Sequence, residues 1–255
     1  VTNAVDFSKA RNVIASEKER RRAAQFEAFI GSSKNEETVL VTDFNEWARS
    51  YSGPRFNLIH CDFPYGIGAD KHVQGAAKTQ GGYDDTPDVY WNLISSMGSN
   101  LSRIAAESCH LIFWFSMHFY ERTLNTLRAQ GWTIDPFPLI WLKSDNTGII
   151  PDYRRGPRRI YETAFFGSRG DRKILSAVSN AIATPAVQSD HMSEKSEVAL
   201  RYFFQMLVDE NTALLDPTCG SGSALRAAEA LGAKTVLGLE RNPEFAERAR
   251  LKLAA

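Results

Sequence analysis

The sequence has few cysteines, no excess of either charge and no long apolar run. Its three cysteines, Cys61, Cys109 and Cys219, are an odd number without zinc-ligand spacing, so we expect reduced thiols in a cytoplasmic protein and no metal. Basic and acidic residues number 30 each, so the overall charge argues neither for nor against a polyanionic partner. No run approaches the ~20 apolar residues of a membrane-spanning helix, and a membrane partner is therefore not expected.

Predicted strands and helices alternate along almost the whole chain. This order is typical of an α/β protein with a mostly parallel sheet and helices on both faces. The composition, 43% hydrophobic and 24% charged, is that of an ordinary globular protein, and neither a repeat nor a long linker divides the sequence. We predict a helical extension over residues 1–34, followed by a single domain over residues 35–255.

A glycine-rich turn stands out in the stretch LLDPTCGSGSALRAAEALGAKTVLGLERNPEF. A strand ends at Asp216, an alanine-rich helix follows the turn, and a second strand ends about twenty residues later at Glu240. Glycine lets the backbone approach a ligand, the helix start offers unpaired N–H groups, and an acid at this spacing reaches ribose hydroxyls. The turn has no phosphate-binding lysine, and Leu225 occupies the place of a third glycine. An adenosine ligand without phosphates, such as S-adenosylmethionine, fits best, and a purely structural turn is the alternative.

A second unusual strand end lies far upstream. The apolar run FNLIHC is followed by Asp62, Phe63, Pro64, Tyr65 and Gly66, so that a carboxylate, a rigid spacer and an aromatic face come directly after a buried strand. A strand that only builds a core needs none of these residues. The alternative is a strand-to-loop corner in which the aspartate acts as a helix-cap-like residue.

Together, DPTCGSGS and DFPYG resemble the two signature motifs of S-adenosylmethionine-dependent DNA amino-methyltransferases. DFPYG is similar to their catalytic Asp/Asn/Ser-Pro-Pro-aromatic motif, and it precedes the cofactor motif as in the circularly permuted β group. The resemblance implies a Rossmann-like methyltransferase fold with a mostly parallel, twisted, seven-stranded sheet and helices on both faces. Only one helix follows Glu240, so the next strand of the sheet must come from the stretch TVLVTDFNEWA near the N-terminus.

The resemblance also implies which residues bind the methyl donor. Asp43 follows the N-terminal strand and is expected to contact the adenine. His191 and Lys195, in HMSEKSEVALRYFF, match the motif that precedes the cofactor loop, although Ser196 replaces its proline. The implied cofactor-binding residues are Asp43, Asp62, His191, Lys195, Asp216, Thr218, Cys219, Gly220, Gly222, Ser223, Glu240, Arg241 and Asn242.

For catalysis, the resemblance implies that the Asp62 carboxylate and the Phe63 carbonyl accept hydrogen bonds from the exocyclic amine of a flipped-out base. Pro64 would fix the backbone and Tyr65 would stack on the base. Phe63 departs from the usual proline but keeps the carbonyl. The aspartate favours adenine N6. Alternatives are a cytosine-N4 or RNA adenine methyltransferase, an inactive DNA-binding subunit of this fold and, as a poor third choice, a nicotinamide-dependent oxidoreductase.

Double-stranded DNA is the expected partner, and a homodimer is left open. The stretch DYRRGPRR places four arginines in a loop broken by glycine and proline, where arginine typically meets phosphate oxygens. These predicted DNA-binding residues are Arg154, Arg155, Arg158 and Arg159. Segments 143–160 and 168–190 are candidates for DNA contact and target recognition, and the short second segment predicts short or relaxed sequence specificity. A restriction system, phage self-protection and gene regulation are left open as roles.

Overall fold

The apolar runs of the sequence form the strands of a nine-stranded sheet. The computed structural model describes residues 38–68, 84–148, 156–186 and 194–254, and all structural statements concern these residues. The predicted extension over residues 1–34 lies outside them. The strands are β1 Val39–Val41, β2 Phe56–Cys61, β3 Ala105–Phe115, β4 Thr133–Ile134, β5 Leu139–Lys143, β6 Tyr161–Arg169, β7 Ala181–Thr184, β8 Ala213–Asp216 and β9 Thr235–Glu240.

Helices cover both faces of the sheet. They are α1 Phe44–Ser50, α2 Pro87–Ser99, α3 Leu101–Ile104, α4 Tyr120–Ala129, α5 Glu197–Phe204, α6 Ser223–Ala230 and α7 Pro243–Leu253, with a short 3₁₀ turn at Met117–Phe119. Helices α5, α6 and α7 share one apolar core with the sheet residues Leu58, Ile112 and Trp114. On the other face, Tyr90 of α2 contacts the Phe113 ring and is hydrogen-bonded to Thr123 of α4.

The sheet order is β1-β9-β8-β2-β3-β6-β5-β7, and β4 also pairs with β6. Within the sheet, the neighbouring strands β1, β9, β8, β2 and β3 all run parallel, whereas β6 runs antiparallel to β3, β4 and β5. The middle strand β3 is buried continuously from Cys109 to Phe115, as expected for a strand covered on both faces. The predicted mostly parallel α/β class is confirmed.

The permuted strand order is also confirmed. β1 comes first in the described chain but pairs in parallel with β9, with Val39 opposite Gly238 and Val41 opposite Glu240. Arg250 of α7 donates two hydrogen bonds to the Val39 carbonyl, at 3.1 and 2.7 Å, and ties the last helix to this strand. The N-terminal stretch therefore completes the sheet beside the last strand, as the strand count required.

The number of strands differs from the expected seven. One extra strand is β4, whose two residues pair with β6, and the other is β7, which pairs in parallel with β5. Both are too short to leave a periodic pattern in the sequence. The sequence pattern also predicts one helix over 88–106, which is too long, because the strand β3 already begins at Ala105.

Candidate functional site

The two strand ends singled out in the sequence lie side by side. β2 and β8 are parallel neighbours, with Leu58 opposite Leu214, so their carboxyl ends reach the same edge of the sheet. Thr218, just after β8, donates its hydroxyl to the Asp62 carbonyl at 3.2 Å. Two motifs that are 156 residues apart in the chain are therefore neighbours in the structure.

A cavity of about 850 Å³ opens at this edge. Its size is in the range of pockets that hold cofactors and other small molecules. Most of the described residues that the sequence assigns to the site line it. These residues are Asp43, Asp62, Phe63, Pro64, Tyr65, Arg159, Lys195, Thr218, Cys219, Gly220, Ser223, Glu240, Arg241 and Asn242.

The glycine turn forms one wall of the cavity. Gly222 takes the left-handed conformation, with φ of 78°, and lies at the N-cap of α6, where a residue with Cβ would be strained. The Glu240 carboxylate accepts hydrogen bonds from the backbone N–H groups of Gly220 at 3.1 Å and Asn242 at 2.8 Å. Burial raises the pKa of the Glu240 carboxyl above its ordinary value, and these two bonds partly offset the rise. The acid is thereby fixed at the mouth of the turn.

The corner after β1 contributes an acid and an amide. Asp43 caps α1, because its Oδ1 accepts the backbone N–H groups of Asn45 at 2.8 Å and Glu46 at 3.2 Å. Asn45 also lines the cavity, and its side-chain Oδ1 is buried without a hydrogen-bond partner among the described residues. An amide side chain on the cavity wall is a candidate hydrogen-bond partner for a ligand. No motif in the sequence points to Asn45, although it lies two residues after Asp43.

Asp216 lies behind the cavity wall. Its Oδ2 is 2.9 Å from His60 Nδ1, and its Oδ1 accepts the Thr218 backbone N–H at 3.1 Å. The Trp114 indole donates to His60 Nε2 at 3.0 Å; because an indole N–H only donates, His60 must carry its proton on Nδ1 and donate it to Asp216. This buried network joins β3, β2 and β8, so Asp216 acts by holding the turn in place.

Lys195 binds the predicted catalytic carboxylate. Its Nζ donates to both oxygens of Asp62, at 2.7 and 2.8 Å. The lysine side chain is only 3% exposed, and that of Asp62 is 19% exposed. Burial raises the pKa of the Asp62 carboxyl, and the adjacent ammonium partly offsets the rise.

Glu162, on β6, extends this contact into a network. One of its oxygens, Oε2, is 3.0 Å from Lys195 Nζ and accepts the Tyr65 hydroxyl at 3.0 Å, while Oε1 is 2.7 Å from Lys143 Nζ. Burial alone would raise the pKa of Glu162, but the two ammonium groups outweigh it and lower the pKa to about 2. The two carboxylates and two ammonium groups form a charge-balanced cluster at the cavity wall. In the sequence, the stretch RRIYETAFFGSRG, which contains Glu162, resembles the Tyr/His-Glu strand of the same enzymes, and Lys143 begins the candidate DNA-contact segment 143–160, but neither residue was named as a site residue.

Contacts with the core and with Asp85 hold Phe63 and Gly66 of the DFPYG motif in place. The Phe63 ring is buried and packs edge-on against Phe113, at 5.6 Å between ring centroids and 84° between planes. The ring that replaces the expected proline thus has its own place in the core. Gly66 donates its backbone N–H to the buried Asp85 carboxylate at 2.6 Å, which fixes the point where the chain leaves the motif. Asp85 was also missed, because its distance in sequence hides this contact.

Ser196, which stands where the resemblance expects proline, caps α5. Its Oγ accepts the Ala199 backbone N–H at 3.4 Å and the Thr184 hydroxyl at 3.2 Å. The helix that follows Lys195 therefore begins at a fixed position without the proline.

Two of the four predicted DNA-binding arginines lie among the described residues. Arg159 lines the cavity and donates to His118 Nε2 at 3.2 Å, and Arg158 donates to the Asn146 carbonyl at 3.2 Å. Both contacts are exposed. Arg154, Arg155 and the predicted cofactor residue His191 lie outside the described residues.

The described residues lack two features, a metal-binding cluster and a membrane-spanning helix. They contain no group of three or more His, Cys, Asp or Glu side chains arranged to hold a metal ion. Within the same ranges, no helix has the length and apolar character needed to cross a membrane.

Comparisons with known proteins find chains of similar structure. No protein-family model and no curated protein sequence matches the chain. The M1.HpyAVI–S-adenosylmethionine complex superposes with a TM-score of 0.64 at 15% identity, covering 85% of this chain and 98% of the other. TTHA0409 from Thermus thermophilus, a proposed DNA modification methylase, gives 0.61 at 16% identity, covering 85% and 93%.

A third similar structure is the cytosine-N4-specific PvuII DNA methyltransferase. Its TM-score is 0.57 at 12% identity, covering 85% of this chain and 89% of the other. All three comparisons cover nearly the whole of the other protein, so the likeness is not confined to a nucleotide-binding half. Over its described residues, the chain has the mixed α/β fold of these DNA methyltransferases.

Proposed function

We propose that the protein is an S-adenosylmethionine-dependent DNA methyltransferase that transfers a methyl group to the N6 amino group of adenine in a flipped-out base. The observation that carries the proposal is the hydrogen bond between Thr218 and the Asp62 carbonyl, which joins the glycine turn to the DFPYG corner in one cavity. The similar structures support it, because one is a complex with S-adenosylmethionine and another is a DNA methyltransferase.

The residues of the cavity fit S-adenosylmethionine. Helix α6 begins after Gly222 without a side-chain cap, so the helix start offers its first backbone N–H groups, and the turn before it has no phosphate-binding lysine. Glu240 would accept from the ribose hydroxyls, and Asp43 and Asn45, which line the cavity after β1, would contact the adenine. When bound, S-adenosylmethionine supplies an electrophilic methyl group.

The DFPYG corner provides the groups that prepare the amine. The amino lone pair of adenine is delocalised into the ring, and two acceptors directed at its hydrogens turn it towards the methyl carbon. The Asp62 carboxylate and the Phe63 carbonyl are these acceptors. Both are held before substrate arrives, by Lys195 and by the packing of the Phe63 ring, so the gain comes from preorganised positioning and electrostatics.

The target amine is inaccessible inside a duplex, so the base must leave the helix. Tyr65 is the stacking platform, because its hydroxyl is fixed by Glu162 at 3.0 Å and its ring borders the cavity. Stacking on an aromatic side chain contributes ~1–3 kcal/mol per base. The proton of the methylated amine leaves after nitrogen has become cationic, and Asp62, whose pKa is raised by burial, is close enough to accept it.

Adenine is proposed over cytosine because aspartate heads the catalytic motif, a tendency of the resembling enzymes. Cytosine N4 is the second candidate, favoured by the likeness to the PvuII enzyme. Both bases present an amine beside a ring acceptor, so the same two acceptors would serve either. Methylation of adenine in RNA, and an inactive DNA-binding subunit of the same fold, are the third and fourth candidates.

Duplex DNA is the proposed partner. Arg158 and Arg159 lie at exposed positions, with Arg159 on the cavity wall, where guanidinium groups can meet phosphates beside the flipped base. Segments 143–160 and 168–190 are proposed for DNA contact and target recognition. A cytoplasmic location is proposed because the three cysteines are free and buried.

The test is methyl transfer from isotopically labelled S-adenosylmethionine to unmethylated DNA, followed by mass spectrometry of the nucleosides. We expect labelled N6-methyldeoxyadenosine from the wild type and from Asp88→Ala, which removes an exposed aspartate of α2. Asp62→Ala should yield no detectable product. Labelled N4-methyldeoxycytidine would establish the second candidate, and donor binding without transfer to DNA or RNA would favour the inactive subunit.

A further inference from the structure

The contacts of Lys195 differ from those of a lysine that serves only the cofactor. Its ammonium lies between two carboxylates, with Asp62 at 2.7 and 2.8 Å and Glu162 at 3.0 Å. The side chain is 3% exposed, and its ammonium also lies 5.3 Å from the rings of Tyr65 and Trp114. An ammonium has three N–H donors, and here they are directed at the two carboxylates.

We propose that Lys195 and Glu162 act as a positioning pair for catalysis, in which Lys195 orients the Asp62 carboxylate and Glu162 holds both Lys195 and the Tyr65 hydroxyl. The inference rests on the proposed methyl transfer, and it assigns roles to two residues that do not themselves act on the methyl group.

Lys195 is well placed to fix the carboxylate plane. A bidentate contact to both oxygens removes the free rotation that one hydrogen bond would leave. The lysine itself is fixed, because the next residue, Ser196, caps α5 and is bound to Thr184. Asp62 therefore has a defined direction before the base enters.

Glu162 couples the acceptor to the stacking platform. Its Oε2 accepts from Lys195 and from Tyr65, while its Oε1 meets Lys143. The residue lies within β6, opposite Trp141 of β5, so its backbone is held by the sheet. One carboxylate thus sets the relative position of the group that binds the amine and the ring that supports the base.

The charges around Asp62 make the two roles separable. The groups that face it are Lys195 before α5, Glu162 on β6 and His60 on β2, with Lys143 on the far side of Glu162. Lys195 lowers the pKa of Asp62 and Glu162 raises it. Removing the charge of Lys195 should therefore raise the pKa of Asp62, and removing the charge of Glu162 should lower it.

The experiment compares Glu162→Gln and Lys195→Met by single-turnover methyl transfer across pH. We expect the rate to fall about 10-fold in Glu162→Gln and about 100-fold in Lys195→Met, the size of effect that misplacing a reacting group produces. In Glu162→Gln, donor affinity from isothermal titration calorimetry should stay within about 3-fold of wild type, because an orienting role mainly affects the chemical step. The acidic limb of the pH–rate profile should move to lower pH in Glu162→Gln and to higher pH in Lys195→Met.

Glu197→Gln is the matched control. Glu197 is also a glutamate in an ion pair, with Arg226 at 3.0 Å, but it does not contact Asp62. We expect its rate and pH profile to match the wild type. Circular dichroism checks each fold, and the nearly isosteric Glu162→Gln carries the test if Lys195→Met unfolds. Limbs that do not move, or that move in the same direction, overturn the proposal.

Carbon-13 NMR titration of labelled aspartate carboxyls separates this inference from the proposed function. The Asp62 resonance is assigned by its absence in Asp62→Asn. If the wild type transfers no methyl group, the proposed function fails, and the titration still decides about the pair. Opposite shifts of the Asp62 pKa in the two variants support the pair, and an unchanged pKa in Glu162→Gln overturns it.

Discussion

Replacing His60 by leucine tests the buried network that holds the two strand ends together. His60 is 2% exposed and joins the Trp114 indole, at 3.0 Å, to the Asp216 carboxylate, at 2.9 Å. Leucine fills a similar volume with an apolar side chain but cannot form either of the two hydrogen bonds of the His60 ring. Asp216 then retains one of its two observed partners, the backbone N–H of Thr218, and the indole N–H is left buried without an acceptor.

The magnitude follows from these two losses. An unpaired buried N–H costs about 1–3 kcal/mol, and a lost hydrogen bond to a charged group about 1.5–3 kcal/mol. We therefore expect His60→Leu to lower the free energy of unfolding by about 3–5 kcal/mol, a large part of the ~5–15 kcal/mol typical of a folded domain. Because Thr218 links this network to the Asp62 carbonyl, donor affinity should fall as well.

The assay is urea denaturation at pH 7.5, with His110→Leu as the matched control. His110 is equally buried, at 1% exposed, and lies on β3, but its ring makes one described hydrogen bond, from Nε2 to the Arg172 carbonyl at 3.0 Å. Its Nδ1 is buried without a partner among the described residues. We expect the control to lose only about 1 kcal/mol. Equal losses in the two variants would refute the reasoning, since burial and not the network would then determine the cost.

Three further predictions concern pH, the glycine turn and DNA. Burial, with the nearby Arg172 guanidinium, lowers the pKa of His110 to about 4. The unfolded ring binds its proton near pH 6.5, so the free energy of unfolding should fall as the pH drops from about 6.5 to about 4. The fall, measured by urea midpoints, should be less steep in His110→Leu. Equal slopes in the two proteins would contradict this prediction. Gly222→Ala should lower the free energy of unfolding by about 1–2 kcal/mol, because φ is 78°, and should weaken donor binding in calorimetry. Gly131 is also left-handed but has open space around it, so Gly131→Ala should lower stability without affecting donor binding. Arg159→Ala should weaken binding to all duplexes alike and reduce the salt slope of the affinity by about 1, with exposed Arg103→Ala as the unaffected control; an unchanged slope would remove Arg159 from the DNA interface.

The main features of the site could be predicted because they depend on local residue types. A glycine turn between a strand and a helix, and an acid at the end of each flanking strand, follow from backbone geometry that few sequences satisfy. The permutation followed from counting strands after Glu240. Each of these features depends on a short, contiguous stretch of the sequence.

The rest depends on contacts between distant segments. Lys143 and Glu162 are ordinary charged residues in their own stretches, and only the pairing of β5 with β6 brings them together beside Lys195, which the motif before α5 had singled out. Asp216 resembles a ligand-binding acid in sequence, but the structure directs it to His60, which follows from the side-by-side pairing of β2 and β8. A long-range contact between common residue types leaves no local pattern to recognise.

The most direct test of the account is a crystal structure of the protein with S-adenosylmethionine bound. The account predicts that the adenosine lies between Asp43 and Glu240, against the glycine turn, and that the methyl carbon faces the Asp62 carboxylate. A ligand bound elsewhere on the protein, or one whose methyl group points away from Asp62, would contradict it.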